Sequence, residues 1–332
     1  MKKYRFIILF FLFHSIISCQ LNQNMTYKND DIDSKIRNEI ELLNKKVFEC
    51  ISQNSIDGLF NMLHSEFRNI DNYKSRLSSI FNYLNSNYTD PQLKKYNEFY
   101  TISSGEGERN VSFFSFTKDN FFISLKAWSS EVYVSLYETK NFPRDILVSL
   151  VYEKETDKWK IRNFHIGDRR IFGNTYSQWL QEAKNDKRNK KELPALLKVL
   201  AVQPLLKPAP FIEYVLDDST KEFIEGTTNG SFSSEFFPIK FPNIKSKPEI
   251  YSIQYRPIIN TEEILPLFNY KTNFTLENES SMQNEVNFMV ENLKTIFPGI
   301  ENQFSGLIFS ATKEIPSNYK NVPYFNLVFK FK

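Results

Sequence analysis

Hydrophobic residues between positions 34 and 90 recur with the period of an α-helix. The first stripe is the clearest, with apolar residues at steps of three and four along one face: Ile36, Ile40, Leu43, Val47 and Ile51. This spacing is typical of an amphipathic helix, and Ser34 is suited to cap its first turn. The same period predicts a second helix from Ser55 to Phe67 and a third from Asp71 to Leu84. The dipeptide Asp90-Pro91 then ends the helical region.

From about residue 96 the pattern changes to alternation with a period of two, which predicts β-strands. Short polar turns separate the strands, so an antiparallel meander is expected. The predicted strands are Tyr96–Ser103, Asn110–Thr117, Phe121–Trp128, Glu131–Thr139, Ile146–Glu153 and Lys158–Ile166.

Beyond residue 170 helical and alternating segments follow one another. A helix beginning at Asn174 or Thr175 and another over Leu193–Val202 are predicted, and Pro204 is expected to stop the second. Ser280 and Gln283 form a capping box before a clean helical stripe. We expect that helix to pack on a small antiparallel sheet. The remaining predictions are strands at Phe211–Leu216, Ile250–Tyr255, Leu267–Phe274, Phe304–Thr312 and Tyr324–Lys330, and an irregular loop from Asn229 to Pro248.

The first residues have the pattern of a secretory leader. Basic residues precede the apolar run Phe6–Phe13, and the small Ser18 precedes Cys19. A charged start, an apolar run and a small residue at the cut are typical of a signal peptide. The run is shorter than the roughly 20 residues that span a bilayer.

The four residues that end this leader, Ile16-Ile17-Ser18-Cys19, resemble the lipobox of bacterial lipoproteins. The resemblance implies that Cys19 becomes the first residue after cleavage and carries the lipid. Gln20, rather than Asp, then implies the outer membrane, with the protein facing the periplasm. The alternative is an ordinary secreted protein in which Cys19 is incidental.

Three short helices followed by a curved antiparallel sheet resemble the nuclear transport factor 2-like superfamily, which includes the SnoaL-like proteins and ketosteroid isomerase. The resemblance rests on a closing hairpin, Leu147–Tyr152 and Trp159–Gly167, joined by a charged turn. It covers about Ser34 to Arg170 and implies a cone whose concave face holds a ligand. Ketosteroid isomerase needs a carboxylate base and acidic oxyanion donors, and these have no residue-by-residue match here.

The predicted fold is therefore α+β. N-terminal helices lie on a curved, cone-like antiparallel sheet, and a helical linker and a second small α+β domain follow. The predicted boundaries are 1–18 for the signal peptide, 19–33 for a lipid-anchored flexible tether, 34–170 for the cone-like domain, 171–210 for the linker and 211–332 for the C-terminal domain.

The amino-acid composition limits which partners, metals and cofactors can be expected. Aromatic residues make up 16% of the chain, with 32 Phe, which favours strands. The net charge of +3 argues against a nucleic-acid partner. There are 2 Cys, so Cys50 stands alone if Cys19 is acylated, and we predict a buried structural thiol there. With 3 His, of which His14 belongs to the leader, no zinc spacing appears and no metal is expected. Nucleotide fingerprints are also absent, so no cofactor is expected.

The candidate pocket is the concave face of the cone. The residues predicted to line it are Trp128, Tyr133, Trp159 and His165. Trp159, Ile161 and His165 share a strand parity, so they are expected to share a face.

Two principal functions remain open, and a third is a structural role in a larger envelope assembly. The first is a non-enzymatic cell-envelope lipoprotein, bound to the membrane through its lipid anchor, that binds a small ligand or an envelope protein. The alternative is an isomerase, dehydratase or hydrolase in which His165 acts as acid or base and Asp168 orients it.

Overall fold

The computed structural model describes residues 24–87, 93–104, 107–115, 120–139, 144–230, 236–317 and 322–331. The leader and Cys19 lie outside the described residues. The fold is α+β, as predicted, with 40% helix, 37% strand and curved antiparallel sheets. The chain forms two compact units. The first contains the described residues up to 139, Ile146–Gly167 and Lys207–Val215; the second contains residues 144–145, Asp168–Leu206 and the described residues from Leu216 onward.

The first unit begins with a strand and four helices and continues with strands. Its helices are α1 (Ser34–Ser52), α2 (Ile56–Met62), α3 (Ser65–Arg68) and α4 (Tyr73–Asn87). Its strands are β1 (Met25–Lys28), β2 (Leu93–Ile102), β3 (Arg109–Phe114), β4 (Phe121–Ala127), β5 (Glu131–Thr139), most of β6 (Arg144–Glu155) and of β7 (Lys158–Ile171), and β8 (Ile212–Tyr214).

Helix α1 has the predicted length, but its cap is one residue earlier than expected. The Asp33 carboxylate, rather than Ser34, accepts hydrogen bonds from the backbone N–H groups of Lys35 and Ile36, at 2.9 and 3.3 Å. A carboxylate at this position also interacts favourably with the positive end of the helix dipole. The buried face of α1 carries Ile40, Asn44, Val47 and Ile51.

The single helix expected from Ser55 to Phe67 is wrong, because the chain leaves the helix at Leu63 and re-enters it at Ser65. Leu63 forms a parallel bridge with Ile161 of β7, and the His64 N–H donates to the Ile161 carbonyl at 2.9 Å. These bonds to the sheet replace helical ones, so α2 and α3 are separate.

The main sheet of the first unit has the strand order β1-β2-β5-β6-β7. Strand β1 pairs antiparallel with the edge of β2, from Met25 opposite Ile102 to Lys28 opposite Phe99. Part of the segment predicted as a flexible tether is thus a strand. Pairing satisfies backbone groups that β2 would otherwise expose, and Tyr27 stacks on Tyr100 with ring centroids 6.2 Å apart.

A smaller sheet, in the order β3-β4-β8, explains the adjacent pairs of phenylalanines. Phe113 and Phe121 are buried against Phe99, with centroids 5.0 and 6.1 Å away. Phe114 and Phe122 pair on the other face, 5.0 Å apart. Alternation therefore sends one member of each pair into the core and the other outward.

The second unit combines helices with a mixed sheet. Its helices are α5 (Tyr176–Arg188), α6 (Glu192–Leu206), α7 (Asp218–Glu225), α8 (Glu279–Ile296) and α9 (Ile300–Gln303). Its strands are β9 (Ile239–Lys240), β10 (Glu249–Ile258), β11 (Glu263–Lys271), β12 (Gly306–Thr312) and β13 (Tyr324–Lys330), in the order β13-β12-β11-β10-β9.

The purely antiparallel sheet expected here is wrong, because β11 and β12 are parallel. Two parallel strands need a crossover, and α8 supplies it. The predicted stop at Pro204 is also wrong, since α6 continues to Leu206. Only the last turn follows this proline, so the missing N–H removes little of the helix's bonding. The cap of α8 is Asn278, whose side chain accepts from the Ser281 N–H at 3.1 Å, instead of the predicted box at Ser280.

The segment predicted as a linker, 171–210, contributes to the core of the second unit. Trp179 of α5 and Leu197 of α6 are buried there beside residues of the sheet and of α8. Helix α6 packs on β10 and β11 and α5 packs on α6, so both helices belong to the unit that follows them. Helix α7 and the short strand β9 have no counterpart in the prediction.

Candidate functional site

The face of the first sheet that packs against α1 carries four tyrosines. On β5, Tyr133 and Tyr137 alternate with Val132, Val134 and Leu136, so the tyrosines share one face. Tyr133 stands opposite Tyr100 on β2 and Tyr152 on β6. All four phenol rings are buried. The interior of the first unit therefore combines an apolar core with hydroxyl groups.

A bulge in β2 adds a charged cluster to this face. Residues three apart on a regular strand face opposite sides, but the register shifts between Lys95 and Asn97. Lys95 and Glu98 consequently share a face, and the Lys95 ammonium lies 3.2 Å from Glu98 and 2.6 Å from Glu41. We call the group at this bulge the Glu98 cluster. Its members are Glu41, Lys95, Glu98, Tyr133 and Tyr137.

Glu98 is the most enclosed charge of this cluster. Its side chain is 2% exposed, whereas that of Glu41 is 52% exposed. Burial, followed by the charge of Glu98, raises the pKa of Tyr133 well above its ordinary value. Among the described residues, neither the Tyr133 hydroxyl nor Oε1 of Glu98 completes a hydrogen bond of ordinary geometry. An incompletely bonded buried carboxylate is energetically costly, and such groups are concentrated at functional sites.

A separate network of neutral groups lies beside this cluster. The Asn44 amide donates to the Ser135 hydroxyl at 3.2 Å, and the Tyr152 hydroxyl donates to the Asn44 carbonyl oxygen at 2.7 Å. Burial raises the pKa of Tyr152, so this phenol remains protonated. The Asn44 network thus ties α1 to two strands.

A groove beside α1 reaches two members of the Glu98 cluster, Glu41 and Tyr137, whereas Lys95, Glu98 and Tyr133 do not line it. It has a volume of about 460 Å³, which is within the usual range for small-molecule sites. At its inner side the Tyr137 hydroxyl lies 3.4 Å from Oε2 of Glu41, and the Tyr137 ring meets Phe48 edge to face. The residues that line this α1 groove are Glu41, Leu42, Lys45, Phe48, Glu49, Ile51, Ser52, Leu93 and Tyr137.

Two of the predicted pocket residues come together in this interior. The rings of Tyr133 and Trp159 meet edge to face, with centroids 6.4 Å apart. Near them the Glu131 carboxylate accepts hydrogen bonds from Tyr100 and, at 2.7 Å, from Lys154. Burial opposes ionisation of Glu131, but these two hydrogen bonds outweigh it and hold its pKa below the ordinary value.

Trp128 lies apart from Tyr133 and Trp159. Its ring stacks on the Arg162 guanidinium at 3.8 Å, and its backbone N–H donates to Glu153 at 3.0 Å. Glu153 follows Tyr152 directly along β6, so its side chain points to the opposite face of the sheet. These contacts therefore place Trp128 on the face of the sheet opposite Tyr152.

His165 also faces away from the tyrosine-lined interior. Its neighbours Phe164 and Ile166 both pack into the core of the first unit, so the side chain between them points outward. Trp159 and His165 were expected to share a face. They do not, because the residues that point into the core are odd-numbered at Trp159 and Ile161 but even-numbered at Phe164 and Ile166. Burial nevertheless lowers the pKa of His165.

Asp168, the residue expected to orient this histidine, has another partner. Nη1 of Arg144 donates to its carboxylate at 2.9 Å. Burial raises the pKa of Asp168, while Arg144 acts in the opposite direction. The structure thus assigns this carboxylate to a guanidinium.

Several other features limit the chemistry of the described chain. Cys50 is a half-buried free thiol, and burial raises its pKa, which disfavours the thiolate. Within the part of the chain that the structure describes, no cluster of three His, Cys, Asp or Glu side chains could hold a metal ion. No helix in that part is long and apolar enough to cross a membrane.

Comparisons with protein-family models, with curated proteins and with solved structures found no match to this chain.

Sequence reasoning missed Glu41, Lys95 and Glu98. The alternation of Tyr133, Ser135 and Tyr137 along β5 was a usable signal, because polar-tipped residues occupy every position of one face. The bulge in β2 left no comparable trace, and it decides where Lys95 and Glu98 point.

Proposed function

We propose that this protein is a non-enzymatic cell-envelope lipoprotein whose first unit binds a small polar ligand in the α1 groove. The observation that carries the proposal is the position of this groove: it reaches Glu41, which Lys95 links to the buried Glu98 carboxylate, and Oε1 of Glu98 completes no hydrogen bond of ordinary geometry among the described residues. A ligand that donates hydrogen bonds would satisfy these groups, and an enclosed polar group contributes strongly to selectivity.

The lipid anchor at Cys19 and a location at the outer membrane, facing the periplasm, are part of this proposal. They are supported by the lipobox-like residues Ile16–Cys19 and by Gln20. A likeness of the first unit to the nuclear transport factor 2-like superfamily is also part of the proposal, and it rests on the closing hairpin formed by Leu147–Tyr152 and Trp159–Gly167. Ligand sites on concave, partly apolar surfaces are common.

The proposal is tested by native mass spectrometry of the full-length protein, extracted from membranes in mild detergent. We expect the wild-type protein to retain a small molecule and Glu98→Gln to lose it, because the substitution removes the charge but preserves the shape. The control is Glu108→Gln, which removes a charge from the exposed pair with Lys126 in the same unit. This control should retain the molecule.

Two outcomes contradict ligand binding at this site. One is a wild-type protein that carries no small molecule, which would favour an envelope protein as partner. The other is equal retention by Glu98→Gln and the wild type. Melting temperatures of all three proteins show whether any loss of ligand reflects unfolding.

A further inference from the structure

The second unit contains a cavity with a buried acidic residue at its base. The cavity has a volume of about 360 Å³. The lining residues that matter here are Ile244, Lys245, Ser246, Phe274, Glu285 and Phe288. All of them belong to the second unit, so this cavity is separate from the α1 groove.

Glu285 lies on the inward face of α8. It is three residues after Met282 and four before Met289, both fully buried in the core, so helical spacing directs it inward too. The residue is 2% exposed. Among the described residues, neither oxygen of its carboxylate completes a hydrogen bond of ordinary geometry.

The polar groups near Glu285 do not compensate the negative charge of its carboxylate. The buried hydroxyls of Ser246 and Tyr270 also complete no hydrogen bond of ordinary geometry among the residues that the structure describes. The Tyr270 phenol approaches the Glu285 carboxylate, and burial, followed by the charge of Glu285 and its interaction with the hydroxyl, raises the pKa of Tyr270. Lys245, the cation that lines the cavity, forms no ion pair with Glu285 within 4.0 Å in the described structure.

A buried carboxylate without a partner is destabilising, and its removal by an apolar residue often raises stability. Retention of such a group beside an open cavity indicates a partner that the protein alone does not supply. That partner must supply hydrogen-bond donors, because both carboxylate oxygens are acceptors, and a positive charge on it would compensate the buried carboxylate.

The rest of the cavity is suited to an organic cation. Phe274, Phe288 and Ile244 provide an apolar wall, and Phe288 is 63% exposed although it lies only three residues beyond Glu285. Aromatic faces attract ammonium and guanidinium groups, and an apolar wall accommodates the carbon skeleton that carries the charge. A hydrated metal ion would gain little from such a wall.

We propose that the cavity at Glu285 binds a small organic amine, with its ammonium group on the Glu285 carboxylate and its apolar part against Phe274 and Phe288. This is a second ligand site, independent of the α1 groove. A buried charge pair formed with the ligand contributes more than an exposed pair, because its geometry is enclosed and poorly screened.

The test uses ligand-observed NMR titration of the full-length protein in mild detergent. The probes are benzylamine and benzyl alcohol, which have similar shapes but differ in charge, with agmatine as a guanidinium probe. We expect at least one cationic probe to bind the wild type with a Kd of about 1 mM or tighter and benzyl alcohol to bind at least about tenfold more weakly.

Glu285→Gln is the decisive variant, since it keeps the shape of the side chain and removes the charge. We expect at least about tenfold weaker binding of the cationic probe. The control, Glu291→Gln, removes a charge from an exposed pair with Lys294 on the same helix and should leave binding unchanged. Without ligand, Glu285→Gln should melt at the same temperature as the wild type or higher.

Three results would overturn the site. They are no binding of either cation by the wild type, equal binding by Glu285→Gln, and a clear fall in the melting temperature of Glu285→Gln. The last would mean that the carboxylate holds an internal hydrogen bond, such as one to Tyr270, that the fold requires.

Discussion

At the scale of single residues, Asn44 connects helix α1 to two strands through one amide group. It donates to Ser135 and accepts from Tyr152, and all three side chains are almost fully buried. A hydrogen bond of this kind contributes about 1 kcal/mol net, but a buried group left without its partner costs about 1–3 kcal/mol. The network is therefore more sensitive to loss of its central member than to loss of either end.

We predict that Asn44→Ala lowers the free energy of unfolding by about 3 kcal/mol, since it leaves two hydroxyls without partners and opens a small cavity. Denaturant unfolding of the full-length protein measures this change. Asn38→Ala, an exposed position on the same helix, should change stability by less than about 0.5 kcal/mol. Equal effects of the two substitutions would show that the network contributes little.

His165 is expected to make the stability of the protein depend on pH, because burial lowers its pKa. The neutral imidazole is favoured in the folded state, whereas the unfolded chain has a pKa of about 6.5. Below that pH the unfolded state binds more protons, so stability falls as the pH drops from about 7.5 toward the folded pKa.

Proton NMR can measure this effect directly. The imidazole resonances that disappear in His165→Gln should titrate with a midpoint below about 6.5. The variant should also lose less stability than the wild type between about pH 7.5 and 5.5. A midpoint above the ordinary value would instead indicate a nearby anion that stabilises the imidazolium.

At the scale of elements, the apolar pattern predicted those helices and strands whose formation depends mainly on their own sequence. Helix α1 and strands β5 and β13 have the expected bounds because each has a strong apolar period along its own length. The shared location of Tyr133 and Trp159 in the core of the first unit follows from the same alternation. These parts of the fold and of the site could be predicted from the sequence.

Elements that depend on a distant partner could not be predicted in this way. Strand β1 exists because β2 offers it an edge, and the four residues Met25–Lys28 are too short a segment for their alternation alone to predict a strand. The bulge in β2 is a property of the β2–β5 pair, so the face on which Lys95 and Glu98 lie could not be predicted from the sequence of β2 alone. The parallel pairing of β12 likewise depends on α8 crossing the sheet.

At the scale of the whole molecule, the chain builds two separate cores, and each contains its own incompletely bonded acidic residue. Glu98 lies in the first unit and Glu285 in the second, both 2% exposed. Large energetic costs of this kind are tolerated where function compensates for them. The two proposed sites can be tested one at a time, because each has its own substitution and its own control.

The distance between Cys19 and the first unit is limited by β1. Six residue steps separate Cys19 from Met25, where the strand begins. At about 3.3–3.6 Å per residue, an extended chain of this length spans at most about 22 Å. If Cys19 carries the lipid, as proposed, the edge of the first sheet lies close to the membrane surface.

We therefore predict that the lipid on Cys19 alone holds the protein to the membrane. Cells fed labelled palmitate should incorporate label into the wild type and into Cys50→Ala, and both proteins should sediment with membranes. Cys19→Ala should lose the label and leave the membrane fraction, because each buried methylene of an acyl chain contributes about 0.8 kcal/mol to binding. Cys50 is the matched control, since it is the only other cysteine in the chain. Equal labelling of Cys19→Ala would contradict the anchor; loss of label without loss of sedimentation would mean that a protein partner, rather than the lipid, keeps this chain in the envelope.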